Sequence, residues 1–475
     1  MDRPNVLWIC TDQHHYRALS CANHAVVDTP NIDRIAEEGV QFTDAYCPAP
    51  VCGPSRASMF SGQYRRNNGV EGNWEPFDEG VSLLPEMMTD VGYHTALVGK
   101  LHFVTTHSTH GFQYARRHDT MNDLYYPEKP YFSDYVEWLA EKSYDGDVSE
   151  VVRRANADEG AYRDHRDMLR FILGSNWRSE EEHSNTWITD ETCEYLQDHR
   201  EDPFFLFTSY FGPHQPMKTP GRWADRYGPD EIPLPPEFDV SIDDKPLARR
   251  RKSGGGVFSH FDLYGWDETR VREVLAAYYG QVEMIDHGIG RILDELEEQG
   301  IRDETIVAFT ADHGDHAGQF GWFFKSTLYE GSAHVPLLVD DPEGVSGETC
   351  DCVVNNMDLF ATVLDRCGVD YDVPTPARSL APLCRDPNDP DVDVPDRTFV
   401  DQGNGEMVVE GDFKILRGED PHGNTAYEMY DRSSRPDDAE NLWDHPDYVE
   451  KRAELIETLE TVETALDENP AEALR

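Results

Sequence analysis

Cys52 and Arg56 stand four residues apart in the segment CGPSR, where the chain favours the start of a helix. Pro54 suits the first helical turn, residues 57–60 can continue it, and Gly62 can end it. The first turn of a helix presents unpaired N–H groups and the positive end of the dipole, which stabilise a thiolate or a bound oxyanion. Cys52 is therefore a candidate nucleophile. The alternative is a small buried apolar residue.

Acidic and imidazole side chains follow two apolar runs of the chain. CTDQHH places Asp12 and Gln13 after the first run, and FTADHGDH places Asp312 and His313 after a later one. In an open parallel sheet, ligands bind outside the carboxyl ends of the strands. These mostly oxygen donors suit Ca²⁺ or Mg²⁺ and also admit Mn²⁺. The alternative is that each aspartate caps the element that follows it.

Cationic and proton-bearing side chains follow further apolar runs. TALVGKLHF supplies Lys100 and His102, FFLFTSYFGPHQP supplies His214, and GQFGWFFKST supplies Lys325. The alternative for Lys325 is a purely structural role, in which its aliphatic side-chain carbons cover apolar surface and its ammonium reaches solvent. Together with a metal site, a cysteine and an arginine, these groups suit an anionic, tetrahedral ester as substrate.

The elements that must position these residues are short apolar runs separated by helical patterns. The runs at residues 6–10, 95–98, 204–210, 306–310 and 335–339 predict buried parallel strands. Residues 29–39 predict a helix with Thr29 as its cap, and residues 274–300 predict a long amphipathic helix. This alternation predicts an α/β sheet covered by helices on both faces.

Composition shifts suggest two structural units. Residues 113–190 are polar, charged and aromatic, which predicts a long insertion, and residues 373–396 are rich in Pro and Asp, as in a connection between domains. Strand-like segments and an amphipathic helix follow; one face of this helix carries Leu455, Leu459, Val462 and Leu466. We therefore predict an α/β domain of residues 1–385 and a C-terminal α+β subdomain of residues 386–475.

The net charge of −50, from 92 acidic and 42 basic residues among 475, restricts the partners of the chain. Such a charge repels nucleic acid and anionic lipid, so we expect neither as a partner. Dispersed acids with few lysines are expected in a halophilic protein, because concentrated salt screens the self-repulsion. A dedicated cationic partner is the alternative.

Nine scattered cysteines and a missing secretory segment favour a reduced, cytoplasmic setting. Cys350 and Cys352 form the one tight pair in the sequence, which is a poor zinc motif without a second Cys or His pair. No apolar run reaches the length of a membrane span. The run at residues 6–10 is too short for a signal sequence and predicts a first strand.

The combination of motifs resembles the type I sulfatase family of the alkaline phosphatase superfamily. CGPSR matches the Cys-x-Pro-Ser/Ala-Arg signature of that family. The likeness continues through PNVLWICTDQ, VGKLH, PHQP, DHGDHAGQFGWFFKS and YEGSAHVPLLV over most of residues 4–370. The resemblance implies an alkaline-phosphatase-like three-layer sandwich with a large, mostly parallel sheet, and a small C-terminal α+β subdomain with an antiparallel sheet.

The resemblance also implies a role for each candidate residue. A maturation enzyme would oxidise Cys52 to formylglycine, whose hydrated aldehyde is the nucleophile. One hydroxyl would attack sulfur, and the other would let the sulfated intermediate expel sulfate. The metal ligands carried over are Asp12, Gln13, Asp312, His313 and the modified Cys52, with Ca²⁺ expected before Mg²⁺ or Mn²⁺. Arg56 would steady the diol, and Lys100 and Lys325 would hold the sulfate oxygens. His102 would orient or polarise the diol, and His214 would protonate the leaving oxygen.

Two residues depart from the pattern of this family. Gln13 stands where many members have a second aspartate, and the glutamine form also occurs in choline-sulfatase-like and phosphonate-hydrolase-like branches. His334 stands where an arginine is common.

The expected activity is hydrolysis of a small-molecule or carbohydrate sulfate ester. A phosphonate monoester or phosphodiester hydrolase of the same superfamily is the alternative. Two further alternatives are less favoured. The complete CGPSR segment argues against a metal-dependent phosphatase or mutase with unmodified Cys52. The presence of every candidate polar group argues against a non-catalytic binding protein. The alcohol part and the oligomeric state stay open.

Overall fold

A computed structural model describes residues 3–104, 108–119, 133–151, 153–154, 173, 178–199, 203–217, 219–252, 266–433 and 437–474. Within these residues the main sheet has eight strands. They are β1 (Asn5–Asp12), β2 (Val40–Tyr46), β3 (His94–Gly99), β4 (Tyr114–Arg117), β5 (Phe204–Pro213), β6 (Thr305–Ala311), β7 (Leu337–Asp340) and β8 (Glu348–Asn355). Their spatial order is β4-β3-β5-β1-β6-β7-β2-β8. The predicted large, mostly parallel sheet is confirmed.

Strand β7 contradicts the prediction that residues 335–339 form a parallel strand. It runs antiparallel to both of its neighbours, with Val307 opposite Asp340 and Val40 opposite Val339. A continuous apolar run reports burial on both faces but not strand direction. The chain leaves β6 at its carboxyl end and re-enters the sheet from the same edge, without a helix that returns it to the opposite edge. This connection keeps residues 312–336 at the edge where the candidate residues lie.

Helices cover both faces of the main sheet, as predicted. The α-helices include α1 (Pro30–Glu38), α2 (Cys52–Ser61), α3 (Arg65–Asn68), α4 (Leu84–Asp90), α5 (Asp134–Ser143), α6 (Ser184–Asp198), α7 (Pro246–Lys252), α8 (Glu268–Glu298), α9 (Glu330–Ala333), α10 (Asp358–Arg366), α11 (Ala381–Arg385) and α12 (Val449–Glu468). Short 3₁₀ helices are Glu180–Glu182, Gly221–Trp223, Pro229–Glu231, Arg302–Glu304, Gln319–Gly321, Pro446–Tyr448 and Pro470–Glu472. In β1, Trp8 packs with one core cluster, and Leu7 and Ile9 pack with another. Alternate residues of one strand thus serve two helical layers.

The boundaries of the predicted helices differ in detail from the expectation. Cys52 is the first residue of α2 rather than the residue ahead of it. Helix α1 follows Thr29 as predicted, but Thr29 makes no side-chain capping bond. Its hydroxyl oxygen instead accepts a hydrogen bond of 2.8 Å from the Ser20 backbone N–H. The Thr29 hydroxyl therefore bonds to Ser20, in the preceding loop, instead of to the first turn of its own helix.

The C-terminal sheet contains β9 (Arg397–Asp401), β10 (Glu406–Glu410), β11 (Phe413–Glu419) and β12 (Thr425–Asp431). All its pairs are antiparallel, as predicted. Helix α12 packs against β10 and β11. Its four predicted apolar residues are all buried, so the helical spacing correctly identified the packed face.

The predicted insertion at residues 113–190 lies partly outside the described residues. At its start, β4 pairs in parallel with β3 and forms an edge of the main sheet. At its end, α6 packs against β5 and α8. Both ends of this stretch therefore belong to the layers of the main sheet.

The cysteines depart in one respect from the reduced state expected of them. Cys350 and Cys352, at alternate positions of β8, form a disulfide, and the other seven are free thiols. Alternate residues of a strand point to the same face, which brings the two sulfur atoms together. In the part of the chain that the structure describes, no helix is both long and apolar enough to cross a membrane.

Candidate active site

Neighbouring strands bring the two acidic clusters together. Asp12 ends β1, and Asp312 and His313 directly follow β6. The two strands pair in parallel, with Thr11 opposite Ala311. Parallel pairing places both carboxyl ends at the same edge of the sheet, which is the position expected from the sequence.

Four buried side chains form a donor cluster at this edge. Asp12, Cys52, Asp312 and His313 each offer one ligand atom, and these atoms lie within 4.8 Å of one another. Cys52 Sγ is 3.2 Å from His313 Nε2. The same nitrogen is 3.5 Å from Asp12 Oδ1 and 3.5 Å from Asp312 Oδ1. The cluster joins three segments that are far apart in the sequence.

The orientation of His313 suits a metal ligand. Its Nδ1 is 2.9 Å from the carbonyl oxygen of Gly314, to which it donates a hydrogen bond. In the neutral form of the ring, Nε2 carries the lone pair and faces the two carboxylates. A backbone acceptor on one ring nitrogen commonly orients the other nitrogen toward a metal.

Gln13 lies next to the donor cluster, because its backbone N–H donates to Asp312 Oδ1 at 3.1 Å. Its side-chain amide donates to Asp315 Oδ2 at 2.6 Å and to Gln215 Oε1 at 3.1 Å. Its Oε1 is buried and has no hydrogen-bond partner among the described residues. Because a buried acceptor without a partner is costly, this atom, two carboxylates and an imidazole together fit a hard divalent cation.

Asp315 is a residue of this site that the sequence analysis missed. Besides holding the amide of Gln13, it accepts the backbone N–H of Phe324 at 3.0 Å through the same Oδ2. Phe324 and Ser326, on either side of Lys325, have left-handed backbone with φ of 70° and 69°. This conformation is strained in non-glycine residues and persists only where contacts enforce it. Asp315 thus connects Gln13 to the segment that presents Lys325.

The C-terminal unit holds the same segment from the other side. The Gln402 side-chain amide donates to the carbonyl oxygen of Ser326. The Ser326 backbone N–H donates to the carbonyl oxygen of Pro50 at 3.0 Å. Pro50 stands two residues before Cys52 in the sequence. Only the repeated polar residues of DHGDH signalled Asp315 in the sequence, and nothing local signalled Gln402.

Arg56 lies one turn into α2 and is fully buried. Its Nε donates to Asp312 Oδ2 at 2.7 Å. One terminal nitrogen donates to the carbonyl oxygen of Lys100 and to Ser209 Oγ, both at 2.8 Å. The guanidinium therefore orients a carboxylate of the donor cluster and connects α2 to the end of β3 and to the middle of β5.

Lys100 and Lys325 place two cations beside the cluster, each only 3% exposed. The Lys100 ammonium forms an ion pair with Asp12 and lies 5.0 Å from the centre of the Phe211 ring. Lys325 Nζ lies 2.9 Å from Cys52 Sγ and 3.8 Å from an Asp12 oxygen. The site therefore pairs its buried acids with buried cations.

These cations control the protonation of Cys52. Burial and the Asp12 charge raise the pKa of the thiol. The positive groups of Lys100, Lys325 and His313 lower this pKa by more, and it lies well below its ordinary value. A side chain at position 52 is thus in surroundings that stabilise negative charge on its terminal atom.

Two predicted site histidines follow strands β3 and β5. His102 is 8% exposed, and among the described residues neither of its ring nitrogens has a hydrogen-bond partner. Its ring lies 5.6 Å from that of Trp74. His214 donates from Nδ1 to the carbonyl oxygen of Gln215 at 2.8 Å. Burial and the Lys325 cation lower the pKa of His214 to about 3, so its ring is neutral near pH 7.

His334 replaces the arginine expected from the resemblance and has partners for both ring nitrogens. Nδ1 is 2.9 Å from a Glu330 carboxylate oxygen, and Nε2 is 2.8 Å from the Thr43 carbonyl oxygen. The ring stacks between Tyr16 and Tyr46. A planar arginine guanidinium could also stack on these rings and donate to the same two acceptors, so the position suits either side chain.

Two family models match the chain. The model described as Sulfatase matches residues 4–369, and the model described as N-sulphoglucosamine sulphohydrolase, C-terminal, matches residues 318–465. An arylsulfatase of Clostridium perfringens is 28% identical over 491 residues, which cover 96% of this chain and 95% of that relative.

Two solved structures share the fold. A phosphonate monoester hydrolase of Agrobacterium radiobacter has a TM-score of 0.77 and 22% identity, covering 98% of this chain and 96% of that one. A protein in complex with its substrate D-glucosamine-2-N,6-O-disulfate has a TM-score of 0.74 and 22% identity, covering 99% of both chains. These likenesses confirm the predicted alkaline-phosphatase-like architecture.

Proposed function

The chain belongs to the sulfatase family, and from this premise we propose that it hydrolyses an organic sulfate monoester through formylglycine at position 52 and a bound divalent cation. Its reaction class is that of a sulfuric ester hydrolase. The observation that carries the finer proposal is the position of Cys52 Sγ, 3.2 Å from His313 Nε2 and 2.9 Å from Lys325 Nζ. Release of inorganic sulfate from 4-nitrophenyl sulfate tests the reaction directly.

A hydrated aldehyde at position 52 would supply one hydroxyl that accepts the sulfuryl group and a second whose deprotonation lets sulfate leave and restores the aldehyde. The maturation enzyme that makes this aldehyde is part of the proposal. The diol oxygens would replace Sγ beside Asp12 and His313. Arg56 would hold Asp312 in place, and His102, whose ring nitrogens are unpartnered among the described residues, would orient or polarise the diol.

The proposed metal ligands are Asp12, Gln13, Asp312, His313 and the modified residue 52. A divalent cation there would polarise a sulfate oxygen and favour the ionised diol. Mostly oxygen donors favour Ca²⁺, with Mg²⁺ and Mn²⁺ as alternatives. The unpartnered Oε1 of Gln13 supports its inclusion among the ligands.

Lys100 and Lys325 would bind the charged oxygens of the sulfate ester. For Lys100→Ala we expect kcat/KM to fall by on the order of 10²-fold or more, because the ammonium would contact these oxygens in both the ground state and the transition state. Steady-state kinetics should show a lower kcat together with a higher KM. Lys451→Ala, on the surface of α12, is the control, and metal content should be measured in both variants. Kinetics identical to wild type would remove Lys100 from the site.

His214 would protonate the leaving oxygen from Nε2, since Nδ1 is bonded to a carbonyl. The neutral ring of the free enzyme gains proton affinity when an anionic ester binds beside it. The S–O bond of the ester would break as the bond to the diol oxygen forms, and the proton of His214 would go to the departing alcohol.

For His214→Asn, kcat/KM for an alkyl sulfate should fall by on the order of 10²- to 10⁴-fold. The loss should be smaller for 4-nitrophenyl sulfate, because nitrophenolate leaves without a proton. A series of aryl and alkyl sulfates measures this dependence, and His422→Asn, an exposed histidine of the C-terminal unit, is the control. An equal loss for all leaving groups would contradict the acid role.

The second candidate function is hydrolysis of phosphonate monoesters or phosphodiesters. The likeness in fold to a phosphonate monoester hydrolase and the presence of Gln13 favour it. Paired aryl sulfate and aryl phosphonate substrates decide between the two, because a higher kcat/KM for the phosphonate would replace the first proposal.

Several sequence expectations remain part of this proposal. They are an α/β domain of residues 1–385, a C-terminal subdomain of residues 386–475, a cytoplasmic location and adaptation to concentrated salt. The contact from Gln402 to the Ser326 carbonyl supports a C-terminal unit that completes the site rather than one that acts alone.

A further inference from the structure

A cavity of about 410 Å³ lies beside the candidate active site. Its wall includes Lys325, Leu416 of β11 and Val51, which is the residue before Cys52. Trp74, another wall residue, also contacts the ring of His102. The cavity therefore borders Lys325, whose ammonium contacts Cys52, and is large enough for a ring-sized ligand.

Much of the wall is apolar. Trp74 is 46% exposed although it lies in the wall of a cavity. Leu247, Leu328 and Leu416 are further apolar wall residues. An exposed indole beside aliphatic side chains offers a flat surface on which a ring can stack. Gly72 leaves this space open, since a Cβ added there would meet no atom within 4 Å.

The charges of the wall are balanced. Arg65 forms an ion pair with Glu71 and lies 3.6 Å from an Asp401 oxygen. Arg250 forms an ion pair with Glu419 at 2.5 Å. Each arginine in the wall therefore already faces a carboxylate, in contrast to the cation-rich reaction centre.

We propose that this cavity binds the alcohol part of the substrate, and that this part is an uncharged ring carrying a single sulfate ester. The inference rests on the proposed function for the position of the sulfate. Lys100 and Lys325 account for one anionic group, and among the described residues the balanced wall offers no comparable site for another. The net charge of −50 further opposes a polyanionic substrate at low salt. Both a sugar ring and an aryl ring have a flat apolar face that can stack on the indole of Trp74.

Substitutions in the wall test the binding of the ring. For Trp74→Ala we expect KM for a monosulfated substrate to rise on the order of tenfold, with kcat changed less. Gly72→Leu fills the cavity and should raise KM at least as much. Tyr371→Ala removes another exposed aromatic side chain, 38% exposed and outside the cavity wall, and should leave KM unchanged. Unchanged KM in both wall variants would overturn the proposal.

A second measurement separates this inference from the chemistry. Ligand-observed NMR with methyl glucoside and with phenol, both unsulfated and uncharged near pH 7, reports binding without any turnover. One of these probes should bind the wild type and lose binding in Gly72→Leu, and the probe that binds identifies the ring as sugar or aryl. If neither probe binds, the cavity proposal fails even if sulfate is released. If a probe binds but no sulfate ester is cleaved, the proposed function fails instead.

The predicted preference for a substrate with one sulfate rather than two is tested separately. Glucose 6-sulfate and a glucose disulfate are compared at low and high salt. We expect the monosulfate to have the higher kcat/KM at low salt, and the difference to shrink as salt screens the repulsion. A disulfate that is preferred at low salt would overturn the uncharged-ring proposal.

Discussion

Replacing Cys52 with alanine is expected to abolish sulfate release, with a loss on the order of 10⁵-fold or more, as for other covalent nucleophiles. The alanine has no terminal atom to accept the sulfuryl group or to complete the donor cluster. The side chain is small and lies at the edge of the main sheet, so we expect the folded structure to persist. Sulfate release is measured with 4-nitrophenyl sulfate, and folding is checked by circular dichroism and thermal unfolding.

Cys47→Ala is the matched control. It alters a buried free cysteine of the same segment, CPAPVC, that is not part of the donor cluster. Activity should persist in this variant. Comparable activity in Cys52→Ala and wild type would refute the assignment of the nucleophile.

The chemical state of residue 52 is measured separately. The peptide spanning Cys52, isolated from protein made in its own host, should have the lower mass of formylglycine and should react with an aldehyde reagent. Active protein in which this peptide carries only an unmodified thiol would favour the phosphatase or mutase reading with a cysteine thiolate.

Removal of the divalent cation is expected to lower kcat/KM on the order of 10²- to 10³-fold, equivalent to several kcal/mol of lost transition-state stabilisation. It should also lower the Tm, because a ligand that binds only the folded state stabilises it. Dialysis against a chelator, followed by measured metal content and addition of Ca²⁺, Mg²⁺ or Mn²⁺, tests both effects. The cation that restores activity at the lowest concentration is the preferred one.

Asp12→Asn tests the same site within the protein. The amide keeps the shape of the side chain but removes the charge that faces His313, so metal affinity should fall and excess metal should restore part of the activity. Asp190→Asn changes an exposed aspartate that pairs with Arg291 and should leave metal content unchanged. Full activity in wild-type protein with no detectable metal would contradict the metal proposal.

Local signals in the sequence predicted the positions of several site residues. Asp12 and Asp312 follow apolar runs, and the carboxyl ends of parallel strands meet at one edge, so strand direction placed both residues at that edge. Their proximity also required β1 and β6 to be neighbours, which the structure shows. The Pro and Gly pattern around Cys52 predicted a helix that begins there, within one residue. The spacing of Leu455 and its partners predicted the buried face of α12.

Other features depend on partners that are distant in the sequence. The direction of β7 follows from the path of residues 312–336, whereas its apolar run is the same in either direction. Thr29 bonds to Ser20 rather than capping its own helix. In each case a local pattern permitted two arrangements, and packing selected one.

By itself, the sequence predicted which side chains would carry the chemistry and placed them at one edge of the sheet, because strand ends and helix starts are local properties. Only the tertiary structure decided how those side chains are held. The contact between Arg56 and Asp312 spans 256 positions, and that between Gln13 and Asp315 spans 302. Such contacts leave no periodic signal along the chain, since they form only when separate segments pack together.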